Sequence, residues 1–327
     1  MKFKNPLLRS LVLAGLVCTG ISAQAGWQQT FNDEFTATTL DTSKWITTLN
    51  QWGSASLPGN GELECYVPEN VKFNGNNVIL LAEKRNVNCT NPAQVFNYAS
   101  GAITTSGKYS QLYGYFEMSA RIPKGKGLWP AFWLLPAGGA WPPEIDVMEV
   151  LNHDTTTLYT TLHWQDPTAG HLSAGGASKV TDLSVGFHRY GVDWQPGLIV
   201  WYLDGVEVYR AASTFVPSEP MYMLANLAVG GYWPGNPDST TVFPAPMEID
   251  YIRAYKRVND GVVDIIPPGC SAPTSLHSVP ARDYTAKFTT KVQGQSALSG
   301  NAWSMNLGSS YIEHTYDFPS AGNYRFT

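Results

Sequence analysis

Leu198-Ile199-Val200-Trp201-Tyr202-Leu203-Asp204-Gly205-Val206-Glu207-Val208-Tyr209 carries the clearest secondary-structure signal in the chain. Two runs of β-branched and aromatic residues flank Asp204-Gly205. Asp-Gly between such runs favours a two-residue hairpin turn, because both turn positions need positive φ. The same pattern repeats outward in residues 78–82, 115–121 and 158–162, each apolar or aromatic and bounded by Gly, Pro, Asn or Asp. No long amphipathic helix interrupts residues 27–257. Regularly spaced short strands predict an all-β, two-sheet sandwich of the jelly-roll kind.

The chain has 327 residues, of which 43 % are hydrophobic and only 14 % charged. That is enough for one large β domain and something smaller. A formal net charge of −5 argues against nucleic acid, which calls for a basic face. The aromatic content includes 11 Trp and 17 Tyr, many beside Gly, Pro and Asn, where turns and binding clefts form.

The N-terminus reads as an address. Lys2, Lys4 and Arg9 precede an apolar run at 11–17, and Ala23-Gln24-Ala25 supplies a small-x-small cleavage pattern. Residues 1–25 are therefore expected to be a signal peptide, with an exported product that is extracellular or periplasmic. The run is too short to span a bilayer, so no membrane span is expected. Cys18 leaves with the signal, and Cys65, Cys89 and Cys270 remain. A Cys65–Cys89 disulfide and a pair of buried thiols are both open readings. Residues 258–273, with Pro267-Pro268-Gly269, read as a linker, and 274–327 as a second β-like segment too short for a robust domain.

Glu144-Ile145-Asp146-Val147-Met148-Glu149 places three carboxylates in six residues of an otherwise apolar, strand-like segment. Buried acids are costly unless they are paired or reactive. Glycoside hydrolysis needs such a pair flanking the scissile bond. Strand alternation puts Glu144 and Asp146 on one face and Glu149 on the other. One extra residue around Val147-Met148, a β-bulge, returns Glu149 to the face of its partners. Glu144 is then the expected nucleophile, Glu149 the acid/base, and Asp146 the residue that orients Glu144. A calcium cluster and an acidic stripe on an exposed strand are the alternatives, but calcium favours loops with carbonyl donors.

Trp129 and Trp133, four apart in a strand, share a face and are candidate sugar platforms or core residues. Trp141 precedes the acids, and Trp233 lies in a Gly- and Pro-rich loop. Asn60, Glu64 and Asn226 are candidate partners for sugar hydroxyls, and His163 is expected to line the cleft near Glu149.

Trp129-Pro130-Ala131-Phe132-Trp133-Leu134-Leu135-Pro136 followed by the acid motif resembles glycoside hydrolase family 16, and its bulged spacing resembles the laminarinase (endo-β-1,3-glucanase) branch. Residues 60–64, 187–190, 226–231 and 247–255 extend the likeness in order across 27–257. The resemblance implies a concanavalin-like β-jelly roll with an open substrate cleft, in a catalytic domain spanning 26–257. It also implies retaining hydrolysis of a laminarin-like β-1,3-glucan by a monomer without a catalytic cofactor. A structural calcium ion would be held by Glu34, the Gly75 carbonyl and Asp250. A mixed-linkage β-glucanase, a neutral galactan hydrolase of agarase type and a non-catalytic β-glucan-binding protein are the alternatives.

Two departures from the family pattern carry expectations. Tyr115 stands where many members have a basic residue, so a charged sugar contact is expected to be missing or supplied elsewhere. Trp164 follows His163 where a small residue is frequent, and is expected to reshape the acceptor side. Residues 274–327 resemble the opening of a family 6 or family 35 carbohydrate-binding module, less than half of one, and no binding is expected of them.

Overall fold

A computed structural model describes residues 26–47 and 55–258, with the backbone of 295–299 and 302–306. The chain divides into two units, Met1–Cys270 and Ser271–Thr327. Within the second, Gln295–Ser299 pairs antiparallel with Ala302–Asn306. The expected signal peptide, nearly all of the expected linker, Cys270 and the rest of the expected binding module lie outside the described residues.

The described residues of the first unit form two large antiparallel sheets, with small two-stranded pairs beside them. One has eight strands, in the order Val206–Ala212, Leu198–Leu203, His188–Gln195, Gly114–Arg121, Ala245–Arg257, Val78–Ala82 and Val71–Phe73, with Trp27–Asp33 also pairing with Ala245–Arg257. The other has six, in the order Gly170–Lys179, Thr157–Asp166, Glu144–Glu149, Leu128–Pro136, Met221–Val229 and Ala102–Thr104. Sequence-distant strands lie side by side in both, as a jelly roll requires. The hairpin expected at Asp204-Gly205 is present: Leu203 pairs with Val206, and the turn residues have φ of 53° and 82°.

The core lies between the sheets. From the six-stranded side come Phe132, Leu134, Ile145, Met223, Ala225 and Leu227. From the eight-stranded side come Phe116, Met118, Val192, Trp194, Trp201 and Ile252. Each large side chain buried here stabilises the fold by about 1.5–3 kcal/mol. All nine residues of Met221–Val229 are buried. Alternate residues of that strand face the core, and Tyr222 and Leu224 face a second apolar cluster with Tyr66, Ala131 and Trp133. That second face is the one that carries the acids.

Cys65 and Cys89 are joined by a disulfide, which decides between the two open readings. It ties Glu64–Tyr66 to the Val87–Thr90 strand. Two expectations are corrected by placement. Tyr115 lies in the eight-stranded sheet, fully buried against Trp27, Tyr202 and Tyr255, and donates to Glu117 Oε2 at 2.9 Å. It is not in the cleft, so no sugar contact is lost there. Trp164 stacks on Phe215 at 5.8 Å and packs against the inter-sheet core. Alternation along Thr157–Asp166 turns it away from the face of His163, and it does not shape the acceptor side.

Candidate active site

The acid strand is bulged as its spacing predicts. Against Leu128–Pro136, Met148 pairs with Phe132 but Asp146 pairs with Trp133, so one residue is extra. The register against Thr157–Asp166 shifts between Asp146 and Glu149 as well. Val147 and Met148, adjacent in sequence, both enter the inter-sheet core. The result is decisive for the face. Glu144, Asp146 and Glu149 pair with His163, Thr161 and Tyr159, three alternate residues of one strand. Directly paired residues project to the same side of a sheet, so all three acids share one face. The Asp146 carbonyl at the bulge accepts a hydrogen bond from Trp201 Nε1 at 2.8 Å, so the eight-stranded sheet props the acid strand from behind.

Each acid has its own surroundings. Glu144 Oε2 accepts from Trp141 Nε1 at 2.7 Å, and Glu144 Oε1 is 3.8 Å from His163 Nε2. Asp146 Oδ2 is 3.1 Å from the same nitrogen. Glu149 Oε1 accepts from Trp129 Nε1 at 3.1 Å. Burial holds Glu144 well above the usual carboxylate range, and the charge of Asp146 pushes it further, while His163 and Trp141 act in the opposite direction. Burial lifts Asp146 to about 7, opposed by its hydrogen bond with Glu144. Glu149 is raised well above its ordinary value by burial, then by repulsion from Asp146 and Glu144. Burial lowers His163 and favours its neutral ring. A site that resists carrying three charges retains protons.

The tryptophans divide into two groups. Trp129 meets Trp233 edge-on at 5.4 Å, and Trp233 meets Tyr159 at 4.9 Å, forming an aromatic wall beside Glu149. Trp233 is 44 % exposed and Trp141 50 %. Trp141 stands at the Glu144 end, 4.7 Å from the ring of His171. Trp133 is buried, and its Nε1 donates to Asn226 Oδ1 at 2.9 Å. Asn226 Nδ2 in turn donates to Tyr66 Oη at 2.9 Å. Both ends of that amide are engaged with protein, making Asn226 and Trp133 parts of the floor beneath the acids. Asn60 is exposed, and its Nδ2 donates to Glu62 Oε1 at 2.9 Å.

Two expectations shift. His163 lies opposite Glu144 and against Asp146, not near Glu149, because the cross-strand register places it there. Glu64 is fully buried, accepts the Val229 N–H at 2.7 Å and faces Glu62, so no sugar hydroxyl reaches it. Sequence reasoning passed over His171, whose Nε2 is 2.9 Å from His163 Nδ1. The turn residues Asp166 to Gly170, folding the chain back on itself, carried that signal. It also passed over Tyr159 and Glu62.

The residues assigned to calcium do not fit an ion as they stand. Both oxygens of Glu34 are held by the Arg253 guanidinium, at 2.8 and 2.6 Å. Asp250 Oδ2 takes a hydrogen bond from Ser119 at 3.4 Å, and Gly75 sits in a turn with φ of 94°. A calcium shell of six to eight oxygens would have to displace a paired guanidinium.

The chain is 39 % identical over 241 residues to an endo-1,3-1,4-beta-glycanase of Rhizobium meliloti, ExsH, covering 69 % of this chain and 51 % of that protein. It is 34 % identical over 269 residues to glucan endo-1,3-beta-glucosidase A1 of Niallia circulans, covering 72 % of this chain and 39 % of that one. The chain thus spans about half or less of the length of these curated relatives. The laminarinase catalytic domain of Thermotoga maritima MSB8 superposes with a TM-score of 0.63 at 35 % identity, covering 72 % of this chain and 100 % of that structure. An endo-beta-1,3-glucanase from Pyrococcus furiosus gives 0.63 at 34 %, covering 71 % and 95 %. Residues 62–253, containing both sheets' central strands and all three acids, match the profile of glycosyl hydrolases family 16, and the chain belongs to that family.

Proposed function

We propose that this protein is an exported endo-glycosidase that hydrolyses β-1,3-glucan of the laminarin type with retention of configuration. The observation that carries the reading is the shared face of Glu144, Asp146 and Glu149, opposite His163, Thr161 and Tyr159. The names of the similar proteins, laminarinase and endo-β-1,3-glucanase among them, support the substrate class.

In the first step a Glu144 oxygen attacks the anomeric carbon. The C–O bond to the leaving sugar breaks as Glu149 gives that oxygen its proton, leaving a glycosyl ester on Glu144. Water then attacks the same carbon while Glu149 takes its proton, and Glu144 departs as carboxylate. Asp146 shares a hydrogen bond with Glu144 and takes up the proton that would otherwise block attack. Trp141 Nε1–H steadies the Glu144 anion at 2.7 Å. Glu149, with one hydrogen bond and two repelling neighbours, keeps its proton until the leaving oxygen arrives. The Trp129–Trp233–Tyr159 wall offers flat faces for sugar rings.

Export is proposed from the N-terminal signal pattern and is supported by the Cys65–Cys89 disulfide, which suits an oxidising compartment. The deciding experiment is reducing-end release from laminarin, lichenan, agarose and carrageenan, with product sizing and the anomer followed by NMR. Release of β-configured oligosaccharides from laminarin is expected. Initial α-product would overturn retention, and activity confined to agarose would overturn the glucan reading.

A further inference from the structure

His163 Nε2 and Asp146 Oδ2 face each other at 3.1 Å, yet Asp146 Oδ2, on a residue that is 3 % exposed, receives no hydrogen bond among the described residues. The other ring nitrogen, Nδ1, is 2.9 Å from His171 Nε2. When the neutral His163 ring gives its Nδ1–H to His171, the Nε2 lone pair is aimed at a carboxylate oxygen. Two electron-rich atoms then confront each other, with Glu144 Oε1 only 3.8 Å from the same nitrogen. One ligand atom from each of Glu144, Asp146 and His163 lies within 4.8 Å of the others.

Those separations have a chemical meaning. Metal–oxygen and metal–imidazole bonds of about 2.0–2.2 Å, opened at tetrahedral or slightly wider angles, hold donor atoms about 3–4 Å apart. One imidazole with two carboxylates is a donor set that suits zinc-class ions, whereas calcium and magnesium prefer oxygen alone. A ligating histidine is normally fixed by a partner on its other nitrogen, the position His171 holds here, stacked on His163 with ring centroids 5.1 Å apart.

We propose that Glu144, Asp146 and His163 form a binding site for a zinc-class divalent cation, with His171 as its outer-shell support. An ion there is bonded to the expected nucleophile, so metal and glucan exclude each other and bound metal switches hydrolysis off. Fewer than four protein ligands leave coordination positions for water on the cleft side. The inference goes beyond the glucanase reading and does not depend on which glycan is cut.

The test uses the full-length mature protein and ZnCl2. Isothermal titration is expected to show a zinc site lost in Glu144→Gln and His163→Phe, and weakened about tenfold in His171→Phe. Those variants are checked for folding by circular dichroism, and His171→Phe guards against misfolding of the site variants. An oligosaccharide of whichever glycan in the substrate panel the protein cuts is expected to compete with zinc in the same titration, and MgCl2 is expected to give no heat. Zinc binding unchanged across all three variants, zinc binding unaffected by oligosaccharide, or no binding at millimolar zinc would each overturn the proposal. These readouts do not require turnover, so a failure of the glucanase assignment leaves them interpretable.

Discussion

Trp141 Nε1–H points at Glu144 Oε2 across 2.7 Å, from a ring that is half exposed at the edge of the acid strand. An aromatic residue at the rim thus both offers a surface and steadies the anion of the expected nucleophile. The rings of His171 and His163 also lie beside it, so a single indole links Glu144 to the histidine pair.

Trp141→Phe keeps a ring and removes the donor. A hydrogen bond to a charged group contributes about 1.5–3 kcal/mol, so kcat is expected to fall roughly 10- to 100-fold. The lost bond had lowered the Glu144 pKa, and its removal raises it further. The acidic limb of the kcat/KM profile on laminarin is expected to move to higher pH; an unmoved limb would separate Trp141 from the ionisation of Glu144.

Glu149→Gln removes the proton donor while preserving shape. Hydrolysis of laminarin is expected to fall by about 10²–10⁴. Aryl glycosides with acidic leaving groups need no protonation and are expected to retain most of their first-step rate, visible as a burst of phenolate. Equal losses on both substrates would argue that Glu149 serves a purpose other than acid catalysis.

Glu64 connects buried structure to pH. Burial raises its carboxyl well above the ordinary value, with Glu62 pushing in the same direction. The folded state therefore holds a proton that the unfolded chain releases above the ordinary carboxylate range. The stability this contributes is complete at pH below that range and is lost as pH rises toward the folded value. Glu64→Gln keeps an acceptor for the Val229 N–H, 2.7 Å away, and a donor toward Glu62. Its melting temperature is expected to exceed that of the wild type at pH 7 and to converge with it near pH 4. Parallel curves would rule out a bound proton at this position.

Asn226→Leu takes the acceptor from Trp133 Nε1 and the donated N–H from Tyr66 Oη, whose own O–H still donates to Glu62 Oε2. Each buried polar group left unsatisfied costs about 1–3 kcal/mol, so urea unfolding is expected to show a loss of roughly 2–5 kcal/mol. KM for laminarin is expected to rise as the floor under the acids shifts.

Cys65→Ala with Cys89→Ala opens a crosslink spanning 24 residues. Chain entropy assigns such a loop about 3 kcal/mol, and thermal unfolding is expected to show a loss of that order with kcat nearly unchanged. An unaltered melting temperature would mean that the bond contributes nothing to the native fold.

The local chemistry of the strand was legible in the amino acids. Asp204-Gly205 specifies its hairpin because only certain residues accept positive φ, and the apolar runs specify strands because alternation is a property of the backbone. The bulge at Val147-Met148 could be inferred for a similar reason: three acids at this spacing cannot share a face of a regular strand. What could not be read were partners brought in by register. Whether Tyr115 faced a sugar or a core, whether His163 met Glu149 or Asp146, and that His171 would support His163 all depended on which strands became neighbours and at what offset. A side chain's face is set by its own residue and the next, but its company is set by segments tens of residues away. Pairing offset and inter-sheet packing are collective choices of the whole chain, and they decided the working geometry of the acids.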